Sequence, residues 1–256
     1  MAENDQRILL DRRGSILIIT INRAEVRNAF DKNSGKAMQN AMDILDQDAD
    51  LFLGIITGVG RNFSAGADLN MIARGESSRT ERGGFGIFER PARKPIIAAV
   101  EGYALGGGFE LCLACDLIVA ARSARMGLTE VRHNVVAIGG GLFRLPRRIP
   151  YHVAMELALT GAIQGAEFFH RFGLVNRLTE TGKALDEAIA LGEQILANGP
   201  TALAASKEII FQSANWSEQE AWSEQKPIAA AAFDAEDRAE GLRAFREKRR
   251  PIWRGR

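Results

Sequence analysis

The chain has 256 residues, a formal net charge of +1 and 46% hydrophobic residues, a composition typical of a globular α/β enzyme. This charge provides no field that would attract nucleic acid or an acidic membrane surface, so we expect neither partner. The sequence contains no apolar run of about 18 residues, the length of a membrane span. Its polar start, residues 1–7, is unlike a secretory signal, so we expect a cytoplasmic protein.

The first part of the chain alternates between predicted strands and helices. Residues 7–22 predict a hairpin, residues 34–48 a helix and residues 51–57 a strand. Within residues 63–69, a turn of small residues leads to Asp68, which is expected to cap the helix that follows. Residues 71–93 are charged and contain Phe85 and Phe88, a pattern that indicates a mobile segment or a short helix beside a cleft.

Residues 94–130 carry the most informative pattern. A predicted strand (96–100) leads through the glycine triplet 106–108 into a helix (109–115) and a second strand (116–121). Glycines without a Cβ allow close approach of the backbone, and the first N–H groups of the helix are free to bind an anion. With Glu110 and Glu130, the stretch offers donors for a developing anion and carboxylates for proton transfer.

A purely structural interpretation of the same stretch remains open. The glycines would then only permit tight packing, and Glu110 would be a solvated acid favoured by the helix dipole. Glu130 would form a surface ion pair with Arg125 or Arg132.

The last part of the chain is mostly helical. A chain of alternating units followed by helices predicts an α/β core with a helical end that packs on the core or on another subunit. Phe245, Ile252 and Trp253 are expected to anchor this end. After Glu130, the predicted helices are 139–148, 150–160, 164–171, 183–197, 201–213, 217–232 and 235–247, with a short strand at 173–178.

Two cysteines and three histidines give no sign of a metal site. Cys112 and Cys115 lie within an apolar helix, which predicts buried structural thiols rather than a redox pair. The histidines are scattered without the spacing of metal ligands, and His133 is expected at the surface or in a supporting position.

Three segments together resemble the crotonase superfamily, the enoyl-CoA hydratase/isomerase family. They are residues 22–29 (NRAEVRNA), 63–69 (FSAGADL) and 94–110 (KPIIAAVEGYALGGGFE). The similarity continues through residues 144–146, 157–161 and 173–176, so it spans essentially the whole chain. It implies a crotonase-like spiral of ββα units over residues 1–198, and a helical region over residues 199–256 that builds trimers or hexamers.

The resemblance also implies a function. Such proteins bind acyl-CoA thioesters, so coenzyme A belongs to the substrate and no separate cofactor is expected. The implied activity is that of an enoyl-CoA hydratase in acyl-CoA degradation. Dehydration of a hydroxyacyl-CoA such as carnitinyl-CoA, and Δ3–Δ2 isomerisation, are alternatives within the family.

The resemblance assigns roles to individual residues. Glu110 and Glu130 align with the two catalytic glutamates of the hydratases, and the backbone N–H groups of Ala67 and Gly107 align with the oxyanion hole. Thr129, Ala137 and Ile138 depart from the prolines and glycine that are common at these positions, which leaves the size of the acyl group open. The implied substrate-binding residues are Arg27, Ala29, Ala65, Ala67, Asp68, Leu69, Asn70 and Gly107.

Other classes of function fit the sequence less well. A dinucleotide-binding loop needs G-x-G-x-x-G, and neither residues 58–63 nor 106–108 have that form. A serine hydrolase would need a G-x-S-x-G elbow, which Ser64 lacks. A relative that binds without catalysis is disfavoured because both glutamates are present.

Overall fold

The computed structural model describes residues 7–256; residues 1–6, most of the polar start considered above, lie outside the described residues. The strands are β1 (Ile8–Arg13), β2 (Ile16–Ile21), β3 (Leu53–Gly58), β4 (Ile96–Val100), β5 (Tyr103–Leu105), β6 (Leu117–Ala121), β7 (Arg125–Gly127), β8 (Gln164–Gly165) and β9 (Arg177–Thr179). The α-helices are α1 (Lys32–Gln47), α2 (Leu69–Ala73), α3 (Gly107–Ala114), α4 (Gly141–Arg144), α5 (Tyr151–Thr160), α6 (Ala166–Arg171), α7 (Ala184–Leu196), α8 (Pro200–Ser213), α9 (Glu218–Phe233) and α10 (Glu236–Glu247).

The strands form two sheets that the chain visits in turn. The larger has the order β1-β2-β3-β4-β6-β9 and is parallel except for the hairpin β1–β2, and the smaller has the order β5-β7-β8. The chain runs from β4 in the large sheet to β5 in the small sheet and then into α3, and from β6 it runs to β7. This repetition is the predicted α/β spiral of ββα units.

The small sheet positions two candidate site residues, because Glu110 and Glu130 each lie in the segment that follows one of its strands. β5 and β7 pair in parallel, with Leu105 opposite Gly127. The N–H of Gly106 extends this ladder by donating to the carbonyl of Gly127 at 2.9 Å. Glu110 follows the end of β5 within α3, and Glu130 follows the end of β7 in a 3-10 turn.

Both faces of the large sheet are covered, as the apolar runs of its strands require. On one face, Ala184 and Ala188 of α7 pack on Ile18 and Ile55. The side chains of the other face belong to the larger hydrophobic core, together with those of α1, α3 and α6. Cys112 and Cys115 are buried free thiols within α3, as predicted.

The helix predicted over 164–171 begins only at 166, after strand β8, and three further predicted segments differ from the structure. Residues 74–93 form an ordered loop with a 3-10 turn at Gly84–Gly86, in which Phe85 and Phe88 are buried. The predicted strand 173–178 is a strand only at β9, because Leu174 N–H donates to the carbonyl of Phe169 and closes α6. The predicted helix 139–148 is α4 followed by a 3-10 turn at Leu145–Arg147.

The C-terminal helices α8–α10 expose large apolar side chains. Trp222, Phe233 and Phe245 are 66%, 60% and 84% exposed. The chain end returns to the core, where the indole Nε1 of Trp253 donates to the carbonyl of Ala197 at 3.1 Å. Among residues 7–256, no helix has both the length and the apolar character of a membrane span.

Candidate active site

The turn between β3 and α2 presents the backbone of Ala67. Ala67 pairs with Phe30 in an isolated parallel bridge. Phe30 N–H donates to the carbonyl of Gly66 at 2.8 Å, and Asp68 N–H donates to the carbonyl of Phe30 at 2.9 Å. Asp68 also caps α2, as predicted, by accepting from Asn70 N–H at 3.0 Å. The amide of Ala67 is thus held between two backbone hydrogen bonds.

The side chain of Ser64 holds this turn by hydrogen bonds. Its hydroxyl donates to the carbonyl of Asn28 at 2.8 Å and accepts from Gly66 N–H at 3.2 Å. The residue is fully buried. The Ser64 hydroxyl therefore stabilises the turn. This structural role agrees with the absence of a G-x-S-x-G elbow, which argued against a serine nucleophile.

The start of α3 lies directly against this turn. Gly66 has a φ of 96°, and a Cβ built on it would lie 2.8 Å from the carbonyl oxygen of Leu105 and 3.1 Å from the amide nitrogen of Gly107. A side chain at Gly66 would therefore collide with the second loop. Glycine at position 66 allows the two loop backbones to approach each other, and this brings Ala67 close to Gly107.

The amides of Ala67 and Gly107 are both free donors. Within residues 7–256, neither N–H has a hydrogen-bond acceptor. Gly107 is the first residue of α3, where an N–H has no partner inside the helix. Both residues are partly exposed. Two free N–H groups on adjacent turns are the arrangement that an oxyanion hole requires.

Glu110 is a buried carboxylate one turn into α3. It is 4% exposed, and its Oε1 accepts from Gly141 N–H at 2.9 Å. Burial, and next the charge of Glu130, raise the pKa of Glu110 to about 7, although the hydrogen bond from Gly141 opposes this. A carboxyl group with a pKa near 7 exchanges a proton readily under neutral conditions.

Glu130 approaches the same region from the end of β7. A Cβ built on Gly106 would lie 3.2 Å from Oε1 of Glu130, so this carboxylate lies against the glycines that begin α3. Its Oε2 is buried and lacks a hydrogen-bond partner in the described chain. Burial raises the pKa of Glu130 as well. The surface ion pair considered from sequence is absent from residues 7–256.

Arg144 adds a buried positive charge beside Glu110. Its guanidinium donates to the carbonyls of Gly139 and Phe88, and burial lowers its pKa. It orders the loop whose Gly141 N–H binds Glu110. From sequence, Arg144 is noted only as part of the similarity at residues 144–146, because a basic run such as residues 144–148 is typical of an exposed surface.

The predicted substrate-binding residues divide into two groups. Arg27, Leu69 and Asn70 are exposed, with Leu69 at 73%. The backbone of Arg27 is left-handed, with a φ of 54°, and its carbonyl accepts from Ala65 N–H at 2.9 Å, which joins the two loops. These residues surround the turn that carries Ala67.

The second group is buried. Asp68 forms an ion pair with Arg23 at 3.1 Å, and the carbonyl of Ala29 accepts from the same guanidinium. The carboxylate of Asp68 is therefore occupied inside the protein. His133 lies exposed at the end of a 3-10 turn, and no cluster of metal-ligand side chains occurs in residues 7–256.

The arrangement of sheets, free amides and paired glutamates defines a crotonase-type protein, and comparison with known proteins agrees. The chain matches the family model described as enoyl-CoA hydratase/isomerase over residues 11–256. It therefore belongs to the enoyl-CoA hydratase/isomerase family, whose members act on acyl-CoA thioesters. The resemblance found in the sequence is thereby confirmed.

Individual relatives cover nearly the full length. The crystal structure of an enoyl-CoA hydratase from Mycobacterium tuberculosis H37Rv shares 53% identity, covers 98% of this chain and 99% of its own, and superposes with a TM-score of 0.95. A probable enoyl-CoA hydratase/isomerase from Mycobacterium abscessus shares 51% identity with the same coverage and TM-score. A carnitinyl-CoA dehydratase from Escherichia coli O157:H7 is 40% identical over 96% of this chain and 98% of its own.

Proposed function

We propose that this protein is an enoyl-CoA hydratase that reversibly adds water across the double bond of a trans-2-enoyl-CoA thioester. The observation that carries the proposal is the meeting of two free backbone donors, at Ala67 and Gly107, with the buried carboxylate of Glu110 and the partly buried carboxylate of Glu130. Family membership and relatives named as hydratases support the same reaction.

The two amides are proposed to bind the thioester oxygen. Addition of water at C3 moves negative charge onto this oxygen and forms an enolate. Preorganised N–H donors stabilise such an oxyanion without reorganising, at about 3–4 kcal/mol per donor in measured cases. Gly107 has an additional advantage, because the positive end of the α3 dipole lies at the same place.

The two carboxyl groups are proposed to hold and activate one water molecule. One ionised carboxylate removes a proton from the water as its oxygen attacks C3, and a carboxyl group delivers a proton to C2 to complete the addition. Burial raises the pKa of both carboxyl groups, and that of Glu110, at about 7, places its proton transfer near neutral pH. Glu130 Oε2, buried without a protein partner in the described chain, is an acceptor that such a water would satisfy.

The coenzyme A portion is proposed to lie along the exposed loop residues. Arg27, Ala65, Leu69 and Asn70 line the approach to Ala67, and Asp68 and Ala29 support them from inside. Because coenzyme A arrives with the substrate, the proposal includes no separate cofactor or metal.

Dehydration of a carnitinyl-type hydroxyacyl-CoA is the second candidate. The relatives named carnitinyl-CoA dehydratase at 40% identity favour it, and elimination of water is the reverse of the proposed addition. The same residues would catalyse both the hydration and the dehydration. Isomerisation of a 3-enoyl-CoA would need only one of the two glutamates to move the proton.

The proposal extends to assembly and location. We propose that residues 199–256 form the trimerisation region on a core of residues 1–198, in a trimer or hexamer that binds no nucleic acid. The exposed apolar side chains of α8–α10 support this assignment. Free buried thiols at Cys112 and Cys115 suit the reducing cytoplasm, where we place the protein.

The proposed function is tested by turnover of crotonyl-CoA, carnitinyl-CoA and a 3-enoyl-CoA, with Glu110→Gln, Glu130→Gln and the exposed control Glu180→Gln. We expect hydration of crotonyl-CoA by the wild type and the control, and a loss of about a hundredfold or more in kcat for each site variant. The double variant should be little worse than either single one, because the residues act as a unit.

Other outcomes would identify the alternatives. Preference for carnitinyl-CoA would indicate the dehydratase, and a severe effect of only one substitution on the 3-enoyl-CoA would indicate the isomerase. A wild type that turns over none of the three thioesters would refute the proposed function.

A further inference from the structure

We propose that three stacked phenylalanines restrict this enzyme to short acyl groups, with Phe88 as the residue that limits chain length. The aromatic wall consists of Phe30, Phe85 and Phe88. The Phe30 and Phe85 rings stack 4.1 Å apart at 4°, and the Phe85 and Phe88 rings stack 4.8 Å apart at 27°. The inference rests on the proposed function and specifies its substrate class.

The middle ring lies against the oxyanion hole. A Cβ built on Gly107 would fall 2.7 Å from Cζ of Phe85, so the tip of this ring contacts the residue that offers the free amide. Phe30 is bridged to Ala67, the other donor residue. The wall therefore borders both groups that bind the thioester oxygen in the proposed function.

The last ring lies beside the catalytic carboxylate. A Cβ on Gly139 would lie 2.4 Å from Cε2 of Phe88 and 2.5 Å from Oε2 of Glu110. The ring and the carboxylate therefore both lie against the side of Gly139 that a Cβ would occupy. Phe88 is 6% exposed, so its ring is packed inside the protein. C3 of the substrate must reach Glu110, and a longer acyl chain continuing past this carboxylate meets the Phe88 ring.

The wall is anchored firmly to the rest of the protein. Arg82, itself buried, forms ion pairs with Asp43 at 2.8 Å and with Asp46 at 2.7 Å on α1. A Cβ on Gly86 would lie 2.2 Å from the carbonyl oxygen of Gly35, so the loop backbone packs directly on this helix. A wall fixed in this way does not move aside for a longer chain at low cost.

Phe85 has a backbone conformation that local preferences do not explain. Its φ is 54°, in the left-handed region where a bulky residue is strained, at a typical cost of about 1–3 kcal/mol. Such strain persists where the surrounding structure imposes it and concentrates at functional sites. Here it aims an aromatic ring at Gly107.

The test compares wild type, Phe88→Ala and the control Phe168→Ala on a series from crotonyl-CoA to dodecenoyl-CoA. Phe168 is a partly buried phenylalanine on α6 that packs against Phe169 and Phe172, outside the wall. In the wild type we expect kcat/KM to fall as the chain lengthens. In Phe88→Ala, the ratio for dodecenoyl-CoA over crotonyl-CoA should rise at least about tenfold, the effect of a few methylene groups in an apolar pocket. The control should keep the wild-type ratio.

A binding measurement separates this inference from the proposed function. Calorimetric Kd values for saturated butyryl-CoA and dodecanoyl-CoA need no turnover, and we expect the Kd ratio to shift at least about tenfold toward the longer chain in Phe88→Ala. Binding ratios that shift as expected in a protein without hydratase activity would support the wall and refute only the reaction. Equal ratios in wild type and in folded Phe88→Ala, or a wild type that prefers the long chain, would overturn the inference.

Discussion

Arg23 and Asp68 form a buried ion pair, 3.1 Å from Nη2 to Oδ2, beside the turn that carries the free amide of Ala67. Both side chains are 11% exposed. The same guanidinium donates to the carbonyl of Ala29 and lies 3.4 Å from Asp31. Asp68 is adjacent to Ala67, so we expect the position of the free Ala67 amide to depend on a charge pair remote in sequence.

Replacing Arg23 with glutamine should therefore reduce both stability and catalysis. The change leaves the buried carboxylate of Asp68 without its cation, which costs about 3–5 kcal/mol when one partner of such a pair is removed. Asp31 keeps its ion pair with Arg7. Misplacement of Ala67 should also lower kcat by at least about tenfold. Urea unfolding and crotonyl-CoA turnover measure the two effects. Arg12→Gln, which removes exposed pairs to Asp48 and Asp50, should change stability by less than about 1 kcal/mol.

Gly107→Pro should abolish turnover while the protein remains folded. Proline deletes the N–H, and the first position of a helix tolerates it because that N–H has no helical partner. Loss of one oxyanion donor lowers kcat by about a hundredfold or more. Gly107→Ala is the matched control, because it meets the Phe85 ring in the same way but keeps the donor. Equal kcat values for folded proline and alanine variants would exclude Gly107 as a donor, with circular dichroism reporting the fold.

The pH profile of kcat/KM should have an alkaline limb near neutrality. Hydration needs one ionised and one protonated carboxyl group, so activity rises when the pair loses its first proton and falls when it loses the second. Burial, with a smaller contribution from Glu130, raises the pKa of Glu110 to about 7. The decline should begin there and disappear in the residual activity of Glu110→Gln. A wild-type profile that is flat across this range would contradict the shared proton.

Glu110→Gln should stabilise the protein at alkaline pH. The folded pKa of Glu110, about 7, is above its ordinary value of 4.5, so the folded state holds the proton more tightly than the unfolded state. The free energy of unfolding consequently falls as pH rises between these two values. We expect the variant to exceed wild type by about 1 kcal/mol or more at about pH 8, equivalent to about 2–4 °C in Tm. At about pH 4 the difference should vanish, and an equal gain at both pH values would contradict burial of the charge.

Phe245→Glu should weaken the oligomer. The phenylalanine on α10 is 84% exposed in the single chain, and a charge at an apolar subunit contact opposes its burial. Light scattering should show a shift to smaller species. Gln219→Glu, at an exposed polar position of α9, should leave the mass unchanged. A monomeric wild type, or a variant of unchanged mass, would refute this role for α10.

The sequence predicted the elements that local rules determine. Strands such as Ile96–Val100 are continuous apolar runs because a parallel sheet covered on both faces buries every side chain. The place of Asp68 before a helix predicts a cap, and the structure confirms the cap. The roles of Glu110, Glu130, Ala67 and Gly107 came from resemblance, and the structure brings these residues together without testing what each one does.

The sequence could not place residues whose surroundings come from distant parts of the chain. Phe85 lies in a loop without periodicity, yet its ring contacts Gly107, and Arg82 of the same loop forms ion pairs with α1. Arg144 stands in a basic run, yet the fold buries it beside Glu110. Neither position follows from composition or spacing, because both are set by tertiary packing.

The pairing of β5 with β7 constrains how the sequence around this site can evolve. Leu105 faces Gly127 in the ladder, and Glu110 and Glu130 each lie a few residues after the end of one of these strands. Substitutions elsewhere leave their separation intact, whereas gain or loss of a single residue after either strand would displace one carboxylate relative to the other. Diversification of substrate should therefore proceed by exchange of side chains around the site, while the lengths of the segments between each strand and its glutamate stay constant.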